Sequence, residues 1–71
     1  MSNNLTTLEC RILTLAGSGH ANKQIAFRLG IAEKTVKNHL TIIFDRLHAQ
    51  NRTDAVSRAL RMGYVRLEEI V

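Results

Sequence analysis

Apolar residues in this chain recur every three or four positions, the spacing that one face of an α-helix buries. The clearest case is residues 33–47, where Val36, Leu40, Ile43 and Leu47 fall at i, i+4, i+7 and i+11. At about 100° per residue these four stack on one narrow stripe. Lys34, Lys37, Asn38 and Thr41 project from the opposite side, and all four can donate hydrogen bonds to phosphates or base edges. The pattern predicts a helix buried along one side and cationic along the other, a form suited to a polyanion.

Just upstream, Ile25 and Leu29 sit four apart, Ala26 leaves room for a second helix to approach, and Gly30 follows as a stop. The position past a helix C-terminus often needs φ > 0, which glycine adopts at little cost. Counting from Asn22, the small residue is fifth, the glycine ninth and the β-branched Val36 fifteenth, a spacing that resembles the helix-turn-helix of DNA-binding proteins.

Two further helices flank this pair. Thr6 and Glu9 are spaced as a capping box opening the first, with Leu5 against Cys10 as a hydrophobic staple. Leu8, Ile12, Leu15 and Ala16 share its apolar face, Leu13 flanks that face, and Gly17-Ser18-Gly19 breaks it. Ala21 and Ala32, where the second and third helices begin, have no side-chain acceptor, and each forgoes capping on the order of 1 kcal/mol. Asn22 is expected to cap the second helix one residue late. Glu33 and Lys37 are placed for an i, i+4 ion pair.

After the connection His48-Ala49-Gln50, Asn51 caps a fourth helix with Asp54 in its first turn. Ala55, Val56, Ala59 and Leu60 line one face of it and Gly63 ends it. The tail 66–71 is given no order. The expectation is an all-α, compact four-helix fold containing a helix-turn-helix, a single domain over 1–71 with an ordered core of about 5–65.

The 71 residues include no proline and only three aromatics, Phe27, Phe44 and Tyr64, so a β-rich fold has little support. A chain this short buries roughly 60% of its unfolded surface, and its stability should be modest. Charge adds more than size. Ten Lys and Arg against six acids give +4, and all ten lie between Arg11 and Arg66, an interval holding only Glu33, Asp45 and Asp54 as acids. Such a distribution suits a nucleic-acid partner.

Cys10 is alone and has no intramolecular disulfide partner; it reads as a small helix residue rather than a redox sensor, for want of a resolving cysteine. His20, His39 and His48 with Cys10 lack metal-ligand spacing, so neither metal nor cofactor is expected. No apolar run approaches the ~18 residues of a membrane span, and Met1 to Asn4 do not resemble a signal peptide, which points to a cytoplasmic protein, nucleoid-associated when on DNA. Nothing suggests an enzyme: there is no nucleophile with a paired base, no carboxylate pair and no phosphate-cradling loop.

From Leu5 to Tyr64 the chain resembles the LuxR/NarL/FixJ (GerE-like) DNA-binding domain. Leu5-Thr6 with Glu9, Ile12 and Leu13 is similar to the family's L-T-x-R-E-x-x-V-L, and Asn22-Lys23-Gln24-Ile25-Ala26 to N-K-E-I-A. Thr35-Val36-Lys37-x-His39-Leu40-x-x-Ile43-x-x-x-Leu47 is similar to T-V-K-x-H-x-x-x-I-x-x-K-L, and Arg52 with Ala55-Val56 to R-x-x-A-V. It departs at Leu8, where Arg is usual, at Ala21 and Ala32, where Ser or Thr is usual, and at Asp45-Arg46, where a basic pair is frequent.

The resemblance implies sequence-specific binding of double-stranded DNA by a bacterial transcriptional regulator, with residues of about 33–47 in the major groove. Carried over position by position, Lys37, Asn38 and Thr41 face base edges, while Asn22, Lys23, Lys34, Thr35 and His39 approach the DNA backbone. His39 could equally be a packed, hydrogen-bonded histidine. The fourth helix would form a homodimer through Val56, Ala59 and Leu60 on two-fold related half-sites, although the same face is needed to close the core. RNA polymerase is a further candidate partner, and no membrane is involved. Ile42 is left undecided between exposure and contact with the fourth helix. Family members commonly carry a receiver or ligand-binding domain ahead of this part, and the chain reads rather as such an effector domain than as a free-standing regulator. The rival is a protein-interaction adaptor whose charge is only solubilising.

Overall fold

A computed structural model describes residues 4–70, so the signal-peptide reading on Met1–Asn4 and the last residue of the tail fall outside the described residues save for Asn4. The described residues form α1 (Thr7–Gly17), α2 (Asn22–Leu29), α3 (Glu33–Leu47), α4 (Arg52–Met62) and a short α5 (Leu67–Ile70), with no strand among them. α2 packs most extensively on α3, and α1 lies against both α3 and α4.

The starts of the helices follow the local chemistry. Thr6 Oγ1 accepts the Glu9 amide at 3.1 Å and Glu9 Oε1 accepts the Thr6 amide at 3.0 Å, the reciprocal cap expected of α1. At α2 the cap residue is Ala21, in extended conformation, and Asn22 is already helical. The late cap expected at Asn22 therefore does not form, because Gln24 Oε1 reaches back to the Ala21 amide at 2.8 Å and fixes the start one residue earlier. Ala32 begins α3 with no side-chain cap bond. Asn51 Oδ1 accepts the Asp54 amide at 2.8 Å and opens α4 as its sequence requires.

Gly30 and Gly63 end α2 and α4 in the left-handed region, at φ 69° and 83°. α3 ends instead on His48 at φ 56°, a conformation that costs a side chain more than glycine. The Ala49 amide closes that turn on the Phe44 carbonyl at 2.8 Å, recovering a carbonyl the helix end would otherwise leave open.

Val36, Leu40, Ile43 and Leu47 are all buried, as their spacing requires. They meet Ile25 and Ala26 of α2 and the buried side of α1 in one core. On α1 the buried arc is Ile12, Leu13, Ala16 and Glu9, while Leu8 and Leu15 are only partly covered. Leu13 is thus central rather than flanking, since α1 is packed from two sides, by α3 and by α4. Ala55 and Ala59 face the same core with no exposed surface. Their small side chains allow α4 to come close to α1.

The chain adds a fifth helix to the four expected. Ser18 Oγ donates to the Ile70 carbonyl at 3.1 Å. A Cβ at Gly17 would lie 2.8 Å from Ile70 Cδ1 and 3.1 Å from Val56 Cγ1, so the bare backbone there is the seat of Ile70. A four-residue helix has too few internal bonds to signal itself by pattern and is held by this tertiary seat.

Candidate nucleic-acid interface

The buried stripe of α3 leaves its other side in solvent, where Lys34, Lys37, Asn38 and Thr41 are all exposed. The turn at Gly30 brings the start of α2 beside them, and Asn22, Glu33, Lys34, Lys37 and Asn38 line one shallow groove. The expected Glu33–Lys37 ion pair is not formed among the described residues. Both side chains are exposed, and a surface pair gains too little to hold two long side chains in one geometry. Neither Lys34 nor Lys37 is ion-paired with an acid among the described residues.

Thr41 Oγ1 donates to the Lys37 carbonyl at 3.1 Å, which leaves its lone pairs and methyl group for a base edge. Thr35 is half-buried at the first turn. Ile42 is 41% exposed, so it lies at the surface beside the polar strip rather than in a contact that encloses it.

Asn22 is tied down more firmly than its sequence suggested. Its Oδ1 accepts a hydrogen bond from the Arg52 guanidinium, which also donates to the His20 carbonyl at 3.1 Å. Arg52 thereby links α4 to the start of α2 and fixes the approach of the helix pair. The signal for this was the Arg52-x-x-Ala55-Val56 motif, which carries no hint of its partner. Lys23 does not line that groove; it lines a second depression with His20, Gln24, Phe27 and Arg28.

The other polar cluster was legible only in part. Glu9, 2% exposed, carries more than its cap: Oε2 meets His39 Nδ1 at 3.1 Å and Oε1 meets Arg46 NH1 at 3.1 Å. Burial pushes its carboxyl up, but the Thr6 amide, His39 and Arg46 together outweigh burial and hold it below the ordinary value. An ionised carboxylate only accepts hydrogen bonds, so Nδ1 of His39 must carry the hydrogen. His39 is therefore a packed, bonded histidine in this structure, and a phosphate could be reached only by Nε2, which donates only if both ring nitrogens are protonated.

Arg46 NH1 also donates to the Asn4 carbonyl at 3.1 Å, so this cation braces α3 against the N-terminus. The cluster clamps α3 to α1 on the side away from the groove. Burial and then the adjacent Glu9 carboxylate push the Cys10 thiol up, away from the reactive thiolate form.

On α4, Val56 and Leu60 are half-buried and border an open depression with Arg52 and Thr53. Ala59, expected in the same seam, has no exposed surface in the single chain and cannot contribute to a contact with a second copy. Its spacing matched both the seam and the core, and closing the core against α1 takes it. Among the described residues no group of three His, Cys, Asp or Glu side chains is disposed to hold a metal ion, and no helix is long and apolar enough to cross a membrane.

This geometry has close counterparts. The solved structure of the transcription factor GerE superposes with a TM-score of 0.84 at 34% identity, covering 92% of this chain and 96% of that one. Among curated proteins, the chain is 40% identical over 63 residues to the transcriptional regulatory protein DegU of Brevibacillus brevis, covering 89% of the chain and 27% of DegU. It is 46% identical over 65 residues to the quorum sensing-dependent regulator RpaR of Rhodopseudomonas palustris, covering 92% of the chain and 27% of RpaR. The chain thus spans under a third of the length of these relatives. Residues 3–59 match the model of the bacterial regulatory proteins of the luxR family, and with a helix-turn-helix fold shared with GerE the chain belongs to that family.

Proposed function

We propose that the chain is a sequence-specific, double-stranded DNA-binding domain of a bacterial transcriptional regulator, acting in the cytoplasm, with α3 in the major groove. The observation that carries this reading is the outer face of α3, where two lysines outside any ion pair among the described residues, Asn38 and Thr41 stand together beside the start of α2. Lys37, Asn38 and Thr41 read base edges: Lys to guanine O6 or N7, Asn bidentate to adenine, and Thr through its methyl or lone pairs. Lys34, Asn22 and Lys23 supply affinity through the phosphates, with Thr35 and the first-turn amides of α2 and α3 beside them.

The domain binds as a homodimer on two-fold related half-sites, through the exposed parts of Val56 and Leu60. RNA polymerase is the protein it acts upon once bound. Selection of bound duplexes from a random pool, with mass measurement of the complex, tests the whole reading. The expected outcome is a motif of two related half-sites about one helical turn apart, holding two domains. Recovery of no motif removes sequence-specific binding, and a single half-site with one domain removes the dimer.

A further inference from the structure

Ile42 is the one large apolar side chain that α3 leaves exposed among the described residues, at 41%. At about 100° per residue it points about 130° away from the centre of the stripe of Val36, Leu40, Ile43 and Leu47. It belongs neither to the core nor to the half-buried apolar side chains packed on it among the described residues. Lys34, Asn38 and Ile42 instead form an i, i+4, i+8 row on the outer side of the helix, all three exposed. Asn38 stands about 40° from Ile42 around the axis and one turn, about 6 Å, before it. Thr41 is the preceding residue.

A single exposed isoleucine is common on protein surfaces and by itself asks for no partner. Its place in this row supplies one. Isoleucine has no donor or acceptor, so it can bond neither to a phosphate nor to the polar edge of a base. The major groove offers one methyl group, the C5-methyl of thymine, and otherwise presents donors and acceptors. Against those the side chain would strip water from a group it cannot bond, which is costly. The contact therefore favours thymine and penalises its replacements at the same position. A β-branched side chain is also nearly fixed about χ1 in a helix, so little freedom is lost when a base covers it. We infer that Ile42 is a specificity-determining residue that packs on the C5-methyl of one thymine in each half-site. One helical turn against a rise of about 3.4 Å per base pair places that thymine one or two base pairs from the position met by Asn38. The inference rests on the DNA-binding reading above and adds an apolar contact to its hydrogen-bonding residues.

The test starts from the operator selected by the full chain. Each thymine is replaced in turn by deoxyuridine, which pairs with adenine as thymine does and lacks only the methyl group. The duplexes are titrated with the parent chain, Ile42→Ala and Ile42→Val, each first shown to be folded by circular dichroism. The expected result is one thymine per half-site, within two base pairs of the position that Asn38→Ala relaxes, where losing the methyl weakens the parent about fourfold. Ile42→Ala should bind the thymine operator more weakly by a similar factor and no longer distinguish thymine from uracil there. Ile42→Val should keep the distinction, and both variants should keep the base preference at the Asn38 position. An operator whose thymines all tolerate uracil overturns the inference and leaves the DNA-binding reading standing; absence of any selected motif removes both. Sensitivity to uracil that persists in Ile42→Ala also overturns it. The methyl would then belong to another side chain such as Thr41, and any uniform weakening on all duplexes would make Ile42 a support of the helix rather than a reader.

Discussion

α3 carries two polar sides that have been treated in opposite ways. Toward α1, His39 and Arg46 converge on the buried carboxylate of Glu9, and each hydrogen bond there is made within the fold. Toward solvent, neither Lys34 nor Lys37 is ion-paired with an acid among the described residues. The first side orients the helix and the second is open to an external anion. A helix that must present side chains to a rigid partner needs both, because an unfixed axis would spread the positions of the reading residues.

Removing Glu9 should have the largest effect. Glu9→Ala strands His39 and Arg46 and deletes half of the α1 cap, at a cost of about 2–3 kcal/mol after allowance for their partial exposure. In a domain this small that is a large share of the total. Urea denaturation reads it directly, and an unchanged midpoint would show that the cluster contributes nothing to holding α3.

Acid should act through the same group. The carboxyl of Glu9 is held below its ordinary value of 4.5, and that of Asp54 below 3.8 by the Gln50 amide and Arg58. Groups with lowered folded values add stability that is present above those ordinary values and lost as pH falls through the lowered ones. Stability should therefore decline below about pH 4.5. Glu9→Ala should decline less over that interval in a series of melting curves; parallel curves would place the acid sensitivity elsewhere.

On the outer side, Asn38→Ala should leave folding intact and remove about 1–3 kcal/mol of discrimination at one position of each half-site. The same motif recovered from random pools by both proteins would rule out direct reading by Asn38. Lys23→Ala should weaken binding to all duplexes alike and lower the slope of log K against log salt by about one. An unaltered slope would remove Lys23 from the set of phosphate contacts. The smallest effect is expected from Ala32→Ser, which restores a cap to α3 and should raise the thermal midpoint by the equivalent of about 1 kcal/mol.

Much of this molecule follows from local pattern. The period of Val36, Leu40, Ile43 and Leu47 determined which side of α3 is buried, and therefore which side is open. The Thr6–Glu9 cap, the Asn51 cap and the stops at Gly30 and Gly63 are short-range chemistry that the chain states by itself, since each partner lies within a few residues. What tertiary structure alone decided are the pairings across long separations. Glu9 meets His39 and Arg46 thirty and thirty-seven residues away, and Arg52 reaches Asn22 thirty residues back. Periodicity names the face of a helix but not its partner, so the same spacing left Ala59 between core and seam, Leu13 at the edge of a face it centres, and Phe27 among ordinary helix residues. Only the packing of α1 against both α3 and α4 closed the first two inward, and only the absence of anything over the outer face of α2 left the phenylalanine in water.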